Sequence, residues 1–251
     1  MRPRVLEPGR RVVEPGSRVV EPVEATPTTA VLAALATVRD PELDEPITDL
    51  DFVGGVEVTG ASVAVELRLP TYFCAPNFAY LMVADAYDAC ARLPGVEQVS
   101  VVLVDHFASE EINAGVAAAR GFPGSFPGLT DAGDTDLAEL RLTFLRKAHR
   151  AAQEPVAAAL LRDGRPVTDL AHLSLGDAAP GPELDRLRRR RAELGLPSDD
   201  AAPLLVDEDG APVAEPDLPL QLRLARTTRI SIEGNAGLCR GLLGVRYGLS
   251  G

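Results

Sequence analysis

The segment that most constrains this fold is a run of alternating apolar residues that ends just before residue 70. Every second position from residue 63 is aliphatic: Val63, Val65, Leu67 and Leu69. This period of two predicts a strand with one buried face. Residues 52–58 are also strand-like and are separated from it by Thr59-Gly60, a tight-turn pair. The sequence therefore predicts a two-stranded hairpin.

Helical patterns lie on both sides of this hairpin. Upstream, Val31, Leu32, Leu35 and Val38 recur with helical spacing. Thr28 or Thr29 is the predicted N-cap, and Asp40-Pro41 ends the helix. Downstream, a second helix is predicted over residues 76–93 and a β-branched strand over residues 98–105. This α-β-β-α-β order predicts an α+β domain with a mixed three-stranded sheet over residues 28–106.

The remaining residues, 107–251, predict an α-rich extension with a few strands. Helices are predicted from Ser109, from Asp136 with Glu139 as a capping box, and over residues 182–194. Residues 204–206 and 220–232 are predicted as strands, and residues 121–128 as an aromatic loop. The basic run at residues 188–191 is interpreted as a solvated helix face, since acidic residues surround it.

The first 27 residues contain a seven-residue repeat in which each unit ends in Glu-Pro. A heptad suggests a coiled coil, but a proline in every unit prevents a continuous helix. We therefore expect residues 1–27 to form a disordered tail.

Charge and cysteine content narrow the functional class. The formal net charge of −12 disfavours nucleic acid and anionic membranes as partners, because both attract clustered Lys and Arg. The N-terminus has no apolar signal segment, so we expect a cytoplasmic protein. Three cysteines without a Cys-x-x-Cys pair cannot form a closed four-cysteine metal site within one chain. A homodimer would ease this shortage of ligands.

Cys74 is the strongest functional candidate. It lies between the alternating strand and the second helix, where a helix N-terminus favours a thiolate that can bind soft metals. Asp40 and Glu42, in a second ionisable segment, could bind a metal or accept hydrogen bonds near Cys74. The structural alternatives are a buried, inert thiol and ordinary helix-terminating turn chemistry. Cys90 falls in mid-helix and is expected to be a core residue.

The α-β-β-α-β unit resembles the iron–sulfur cluster assembly domain of SufT-like and PaaD-like proteins. The resemblance rests on residues 38–42, 47–50 with Val53 and Val56, 71–76 and 93–101. It implies a role in metal–sulfur cluster biosynthesis. It also favours Asp40 over Glu42 as a site residue. The sequence departs from the family pattern at two positions. Ala75 intervenes between cysteine and proline, and Asp51 replaces a common glycine.

The whole chain also looks like longer actinobacterial members that accompany soluble di-iron monooxygenases. That likeness rests on residues 71–84, 105–107 and 232–243. It implies that this protein assists a client protein and that the client is such an oxygenase.

Together these inferences predict a set of site residues. The predicted metal ligands are Cys74, Asp40, Cys239 and His106. The residues predicted for the pocket or for client contact are Glu42, Thr71, Asn77 and Arg240. For Cys239, a packing role is an equal alternative, and a lone histidine such as His106 is commonly a polar strand end.

Three functional hypotheses follow. The first is a non-enzymatic accessory factor that holds an iron–sulfur cluster or iron transiently and delivers it to a client metalloprotein. The second is a metal-free scaffold or folding helper that binds an oxygenase. The third, with least support, is a thiol enzyme with Cys74 as nucleophile and His106 as base. No Gly-x-Ser-x-Gly elbow is present.

Overall fold

A computed structural model describes residues 26–127 and 137–249 of the chain. Its first half contains five elements in the predicted order: α1 (Thr28–Leu35), β1 (Val53–Thr59), β2 (Ser62–Arg68), α2 (Pro76–Ala91) and β3 (Gln98–Val104). The strands form one sheet in the order β1-β2-β3. β1 pairs with β2 antiparallel, and β2 pairs with β3 parallel. The predicted α+β class and mixed sheet are confirmed.

The alternation in β2 sets which face of the sheet is buried. Val63, Val65 and Leu67 are each 2% exposed, while Ala64 and Glu66 between them are exposed. Val101 in β3 pairs with Val65 and is buried beside it. Removing one such aliphatic side chain from water contributes about 1.5–3 kcal/mol. This face packs against α1 and α2 in a single hydrophobic core.

The second half is helical, as predicted for the extension. It contains α3 (Ser109–Ala117), α4 (Gly121–Ser125), α5 (Ala138–Arg162), α6 (Pro182–Glu193) and α7 (Leu218–Tyr247), with 3-10 helices at Val167–Ala171, Leu175–Asp177 and Glu215–Asp217. The predicted loop at residues 121–128 is therefore wrong over its first five residues, which form α4. Asp136 and residues 1–25 of the predicted tail lie outside the described residues.

The strand predicted over residues 220–232 is also wrong, because this segment is part of α7. Threonines and isoleucines gave it a strand-like composition. Its buried positions instead follow a helical period: Leu218, Ala225, Ile232, Ala236 and Leu243. Residues 204–206 form no strand either. The backbone of Val206 bonds to the side chain of Gln153, with N–H···Oε1 at 2.8 Å and Nε2–H···O at 3.0 Å.

The predicted solvated face at residues 188–191 is wrong for two of its four arginines. Arg190 and Arg191 are 4% and 1% exposed. Arg191 donates to the carbonyls of Pro203 and Leu204 at 2.6 and 2.9 Å. Burial lowers the pKa of Arg191 to about 10. The basic run therefore fixes the packing of α6 and does not simply face solvent.

α7 connects two hydrophobic cores. Leu218 at its start belongs to the core formed with α5 and α6, whereas Ala236 and Leu243 belong to the core of the sheet domain. The sheet-domain core also includes Ile112 of α3 and Phe126 just after α4. A domain boundary at residue 106 stays a prediction. In the described parts of the chain, no helix is both long and apolar enough to cross a bilayer.

Candidate functional site

Cys74 lies in the loop between β2 and α2 and is partly exposed. The helix begins at Pro76, and Ala75 is its N-cap residue with φ −57° and ψ 125°. The extra alanine therefore places Cys74 one residue before the N-cap. The Thr71 hydroxyl lies 3.2 Å from the Cys74 Sγ. The thiol is thus reachable from solvent and has a polar neighbour.

His106 holds the backbone of this loop. Its Nε2 donates to the Cys74 carbonyl at 2.8 Å, and its Nδ1 accepts the N–H of Ala108 at 3.2 Å. The imidazole is 3% exposed, and burial lowers its pKa, so the ring is neutral at pH 7. Both nitrogens bind backbone, so the Cys–His pair of the thiol-enzyme hypothesis is not formed. Metal ligation by His106 stays a prediction.

Asp40 follows α1 and is 7% exposed. Its Oδ1 accepts the N–H groups of Glu42 and Leu43, both at 2.8 Å. Neither bond uses Oδ2. Burial is the main cause that raises the pKa of Asp40 from 3.8 to about 6, and the backbone bonds oppose it. The fold thus keeps a carboxylate in a place that disfavours its charge.

The loop after Asp40 contains two residues in the left-handed conformation. Asp51 has φ +59°, which explains why glycine is common there in the resembling family, since Asp tolerates this region better than most residues. Asp44 has φ +55° and is surrounded by Arg39, Arg186 and Arg190. Arg186 and Arg190 attach the loop to α6, so the loop has a defined position beside the site.

α7 packs Cys239 against the core of the sheet domain. Burial raises the pKa of the Cys239 thiol to about 11, and the negative charges of Asp40, Cys74 and Glu42 add to the effect. Cys239 and Cys74 also pack against the same core. The Cys239 thiol therefore senses the charges of Asp40, Glu42 and Cys74, which come from two other parts of the sequence.

The other predicted residues have structural partners. Arg240 pairs with Glu45 and donates to the Asp49 carbonyl at 3.5 Å. The Asn77 Oδ1 accepts the N–H of Phe78 at 2.9 Å, within the first turn of α2. Among residues 26–127 and 137–249, no three His, Cys, Asp or Glu side chains converge closely enough to hold a metal ion. A complete metal site is thus not preformed there.

Exposed aromatic side chains border the thiol, and the sequence prediction did not assign them to the site. Tyr72, Phe73 and Phe107 are 57%, 75% and 50% exposed. The rings of Tyr72 and Phe107 lie 6.2 Å apart, and the Phe107 N–H donates to the Tyr72 carbonyl at 3.0 Å. Tyr72 and Phe73 adjoin Cys74 in the sequence, but their exposure and the position of Phe107 next to Tyr72 were not visible there. A patch of this kind is typical of contact surfaces.

Comparisons with known proteins agree with this architecture. Residues 28–101 match the family of iron–sulfur cluster assembly proteins. An iron–sulfur cluster carrier protein from Synechocystis sp. is 38% identical over 74 residues, which are 30% of this chain and 20% of that protein. The chain thus matches only about a fifth of its relative's length. No solved structure matches the chain significantly. The match to the iron–sulfur cluster assembly family includes Asp40 and Cys74 and ends before His106 and α7.

Proposed function

We propose that this protein is a non-enzymatic accessory factor that carries iron or an iron–sulfur cluster at Cys74 and delivers it to a client metalloprotein. The observation that carries the proposal is the Cys74 loop. Thr71 and His106 fix a partly exposed thiol within a domain of the assembly family. The resemblance to a carrier protein supports the same role.

An incomplete ligand set suits transfer. A cargo held by one or two protein ligands leaves by ligand exchange, whereas a closed site of four ligands retains its metal. The missing ligands would come from the client, from a small thiol, or from a second copy of the chain in a homodimer. Transfer of this kind in the cytoplasm needs no turnover by this protein.

The client would bind over the exposed aromatic residues beside Cys74. Because the cargo moves by ligand exchange, the acceptor has to touch the thiol. Tyr72 and Phe73 directly precede Cys74, and Phe107 follows His106, which bonds to the Cys74 carbonyl. Aromatic side chains are enriched at protein interfaces, and Tyr is enriched among the residues that carry most of the binding energy. The sequence resemblance to monooxygenase-associated proteins supports a di-iron oxygenase as the client.

The test is cargo transfer. The protein is loaded anaerobically with iron and sulfide and mixed with an apo-ferredoxin as the acceptor. We expect the wild type to transfer its cluster and Cys74→Ser to transfer none. Cys90→Ala is the matched control, since Cys90 is fully buried in α2. Equal transfer by wild type and Cys74→Ser would refute the proposal.

A metal-free scaffold is the second candidate function. It is favoured by the observation that no three potential ligands converge in the described ranges. A scaffold would bind its oxygenase equally well as wild type and as Cys74→Ser, with no iron in either complex. Deleting residues 107–251 is a poor test, because Ala236 and Leu243 complete the sheet-domain core.

A further inference from the structure

The solvent-facing side of α7 carries an uncharged seam with the spacing of a coiled coil. From residue 224 to residue 245, steps of three and four residues alternate without a break, which keeps one helix face directed at a partner helix. The larger members of the seam are exposed: Leu224, Leu238 and Val245 at 42%, 61% and 87%. The residues that α7 buries within the described chain, such as Ala225 and Ile232, lie on another face. The described fold therefore leaves the seam unused.

The small members of the seam leave room for a second backbone. They are Thr227, Ser231, Gly234 and Gly241, and all are exposed. Beyond the neighbouring turns of α7, a Cβ at Gly234 or Gly241 would meet no described atom within 4 Å. No packing within the described chain therefore requires glycine at these positions, although glycine is the least favourable helix residue after proline. Glycine is typical of places where another backbone approaches closely, so the seam fits a partner helix.

The seam is complementary to a second copy of itself in the antiparallel direction. Turning one helix end to end about the middle of the seam places Leu224 of one copy opposite Gly241 of the other. The same rotation places Leu238 opposite Thr227. Each leucine then faces a small residue, which is how facing helices fill the space between them. Parallel pairing would set each glycine against the same glycine and leave voids, which are costly.

Polarity and area also suit this pairing. The Thr227 hydroxyl donates to the Arg223 carbonyl at 2.9 Å, so covering it leaves no donor unsatisfied. Arg223 is the one charged residue at the flanking e and g positions of the seam, and it faces Gly244 of the other copy, so no like charges meet. The seam and its flanks give about 14 residues per copy, where a standard interface of about 1,600 Å² has about 20–30 per side. The pair thus buries about 1,000 Å² in total, which suits a specific but weak dimer with micromolar affinity.

We propose that α7 is a dimerisation helix and that two copies of this chain associate through an antiparallel pair of α7 seams. A two-fold axis lies between residues 231 and 234, so the same face serves both copies. The family match ends at residue 101 and does not include this helix. The inference does not rest on the proposed function, because this association needs no metal.

The test is sedimentation equilibrium of the full-length protein in reducing, metal-free buffer. We expect the wild type to dissociate from dimer to monomer on dilution from about 300 to about 1 µM. Leu238→Glu should weaken association at least about tenfold, because it places a charge in both halves of the interface. Leu142→Glu is the matched control and should associate like the wild type, since Leu142 is 40% exposed on another helix, α5.

Two further variants test the direction of pairing. In the antiparallel pair, Thr227→Lys faces Leu238→Glu of the other copy, so the double variant should regain most of the lost association. Parallel helices would instead set lysine against lysine and glutamate against glutamate. The two positions are about three turns apart on one helix, which is too far for them to pair within a chain. Gly241→Leu, which faces Leu224, should weaken association while raising the urea midpoint of the monomer, since leucine favours helix.

Three results would refute this inference: a wild type that stays monomeric at the highest concentration, association that Leu238→Glu leaves unchanged, and a double variant that associates no better than Leu238→Glu. If the monomeric wild type instead floats with phosphatidylglycerol vesicles, the seam contacts lipid and the inference is wrong. Urea unfolding at low protein concentration shows that each variant is folded. None of these measurements reports on iron at Cys74, so a failed dimer leaves the proposed carrier function standing.

Discussion

Asp40→Asn should stabilise this protein at neutral pH. Burial raises the pKa of Asp40 from 3.8 to about 6, so the folded chain binds this proton more tightly than the unfolded chain does. The free energy of unfolding therefore falls as pH rises from about 4 to about 6, and is flat above that range. At about 1.4 kcal/mol for each pH unit, the ionised carboxylate costs about 3 kcal/mol at pH 7.5.

Asparagine removes this cost while keeping the shape of the side chain. Its Oδ1 can still accept the N–H groups of Glu42 and Leu43. Its amide group takes the position of Oδ2, and leaving that group without a partner costs about 1–3 kcal/mol. We therefore expect a net gain between about 0 and 2 kcal/mol at pH 7.5. The gain should be about 2 kcal/mol smaller at pH 4.5, where Asp40 is already protonated in the folded state.

The assay is urea unfolding of wild type and Asp40→Asn in reducing buffer at both pH values. Asp49→Asn is the control, because Asp49 is exposed and the substitution makes the same change in charge. The diagnostic quantity is the difference in the free energy of unfolding between Asp40→Asn and wild type at each pH. If it is equal at pH 4.5 and pH 7.5, the carboxylate is not strained by burial. Our argument that burial disfavours the charge of Asp40 would then be wrong.

The remaining predictions concern packing, the client surface and acid stability. Arg191→Met should lower the free energy of unfolding by about 2–5 kcal/mol, because two buried carbonyls lose their donor. The control is Arg189→Met at an exposed position, which should change the free energy of unfolding by less than about 0.5 kcal/mol. Equal effects of the two substitutions would contradict the burial of Arg191. Phe73→Ser should slow cluster transfer to the acceptor about tenfold without changing iron loading. Leu220→Ser, at an exposed position at the far end of α7, should leave the transfer rate unchanged. Equal transfer rates for the two variants would show that the client does not bind over Phe73. Burial and nearby arginines lower the pKa of His149 from 6.5 to about 4. The free energy of unfolding should therefore fall by about 3 kcal/mol as the pH falls from 6.5 to 4. In urea unfolding, His149→Gln should lose less free energy of unfolding over this range, and the same pH dependence in both proteins would contradict this assignment.

The sheet domain was predictable because its signals are local. The alternation at residues 63–69 encodes one buried face, and Pro76 marks the first turn of α2. Each pattern needs only a few neighbouring residues to be read. The family resemblance depends on the same segment, and the comparisons confirmed it.

α7 was not predictable by the same reasoning. Its β-branched residues indicated a strand. Only the tertiary packing shows that the helical spacing of its buried residues determines the structure. The contacts of α7 join residues far apart in the sequence, such as Arg240 and Glu45, so no local pattern could place them together. Likewise, the burial of Arg190 depends on Asp44 in a distant loop. Long-range contacts of this kind decide the site, although the domain that holds it was recognisable.

The most direct test of the account is the iron content of the chain after anaerobic reconstitution with iron and sulfide, measured for wild type and Cys74→Ser after removal of unbound metal. The account predicts iron and acid-labile sulfide on the wild type and almost none on Cys74→Ser, with both proteins equally folded by urea unfolding. Equal amounts of iron on the two proteins, or none on either, would contradict it.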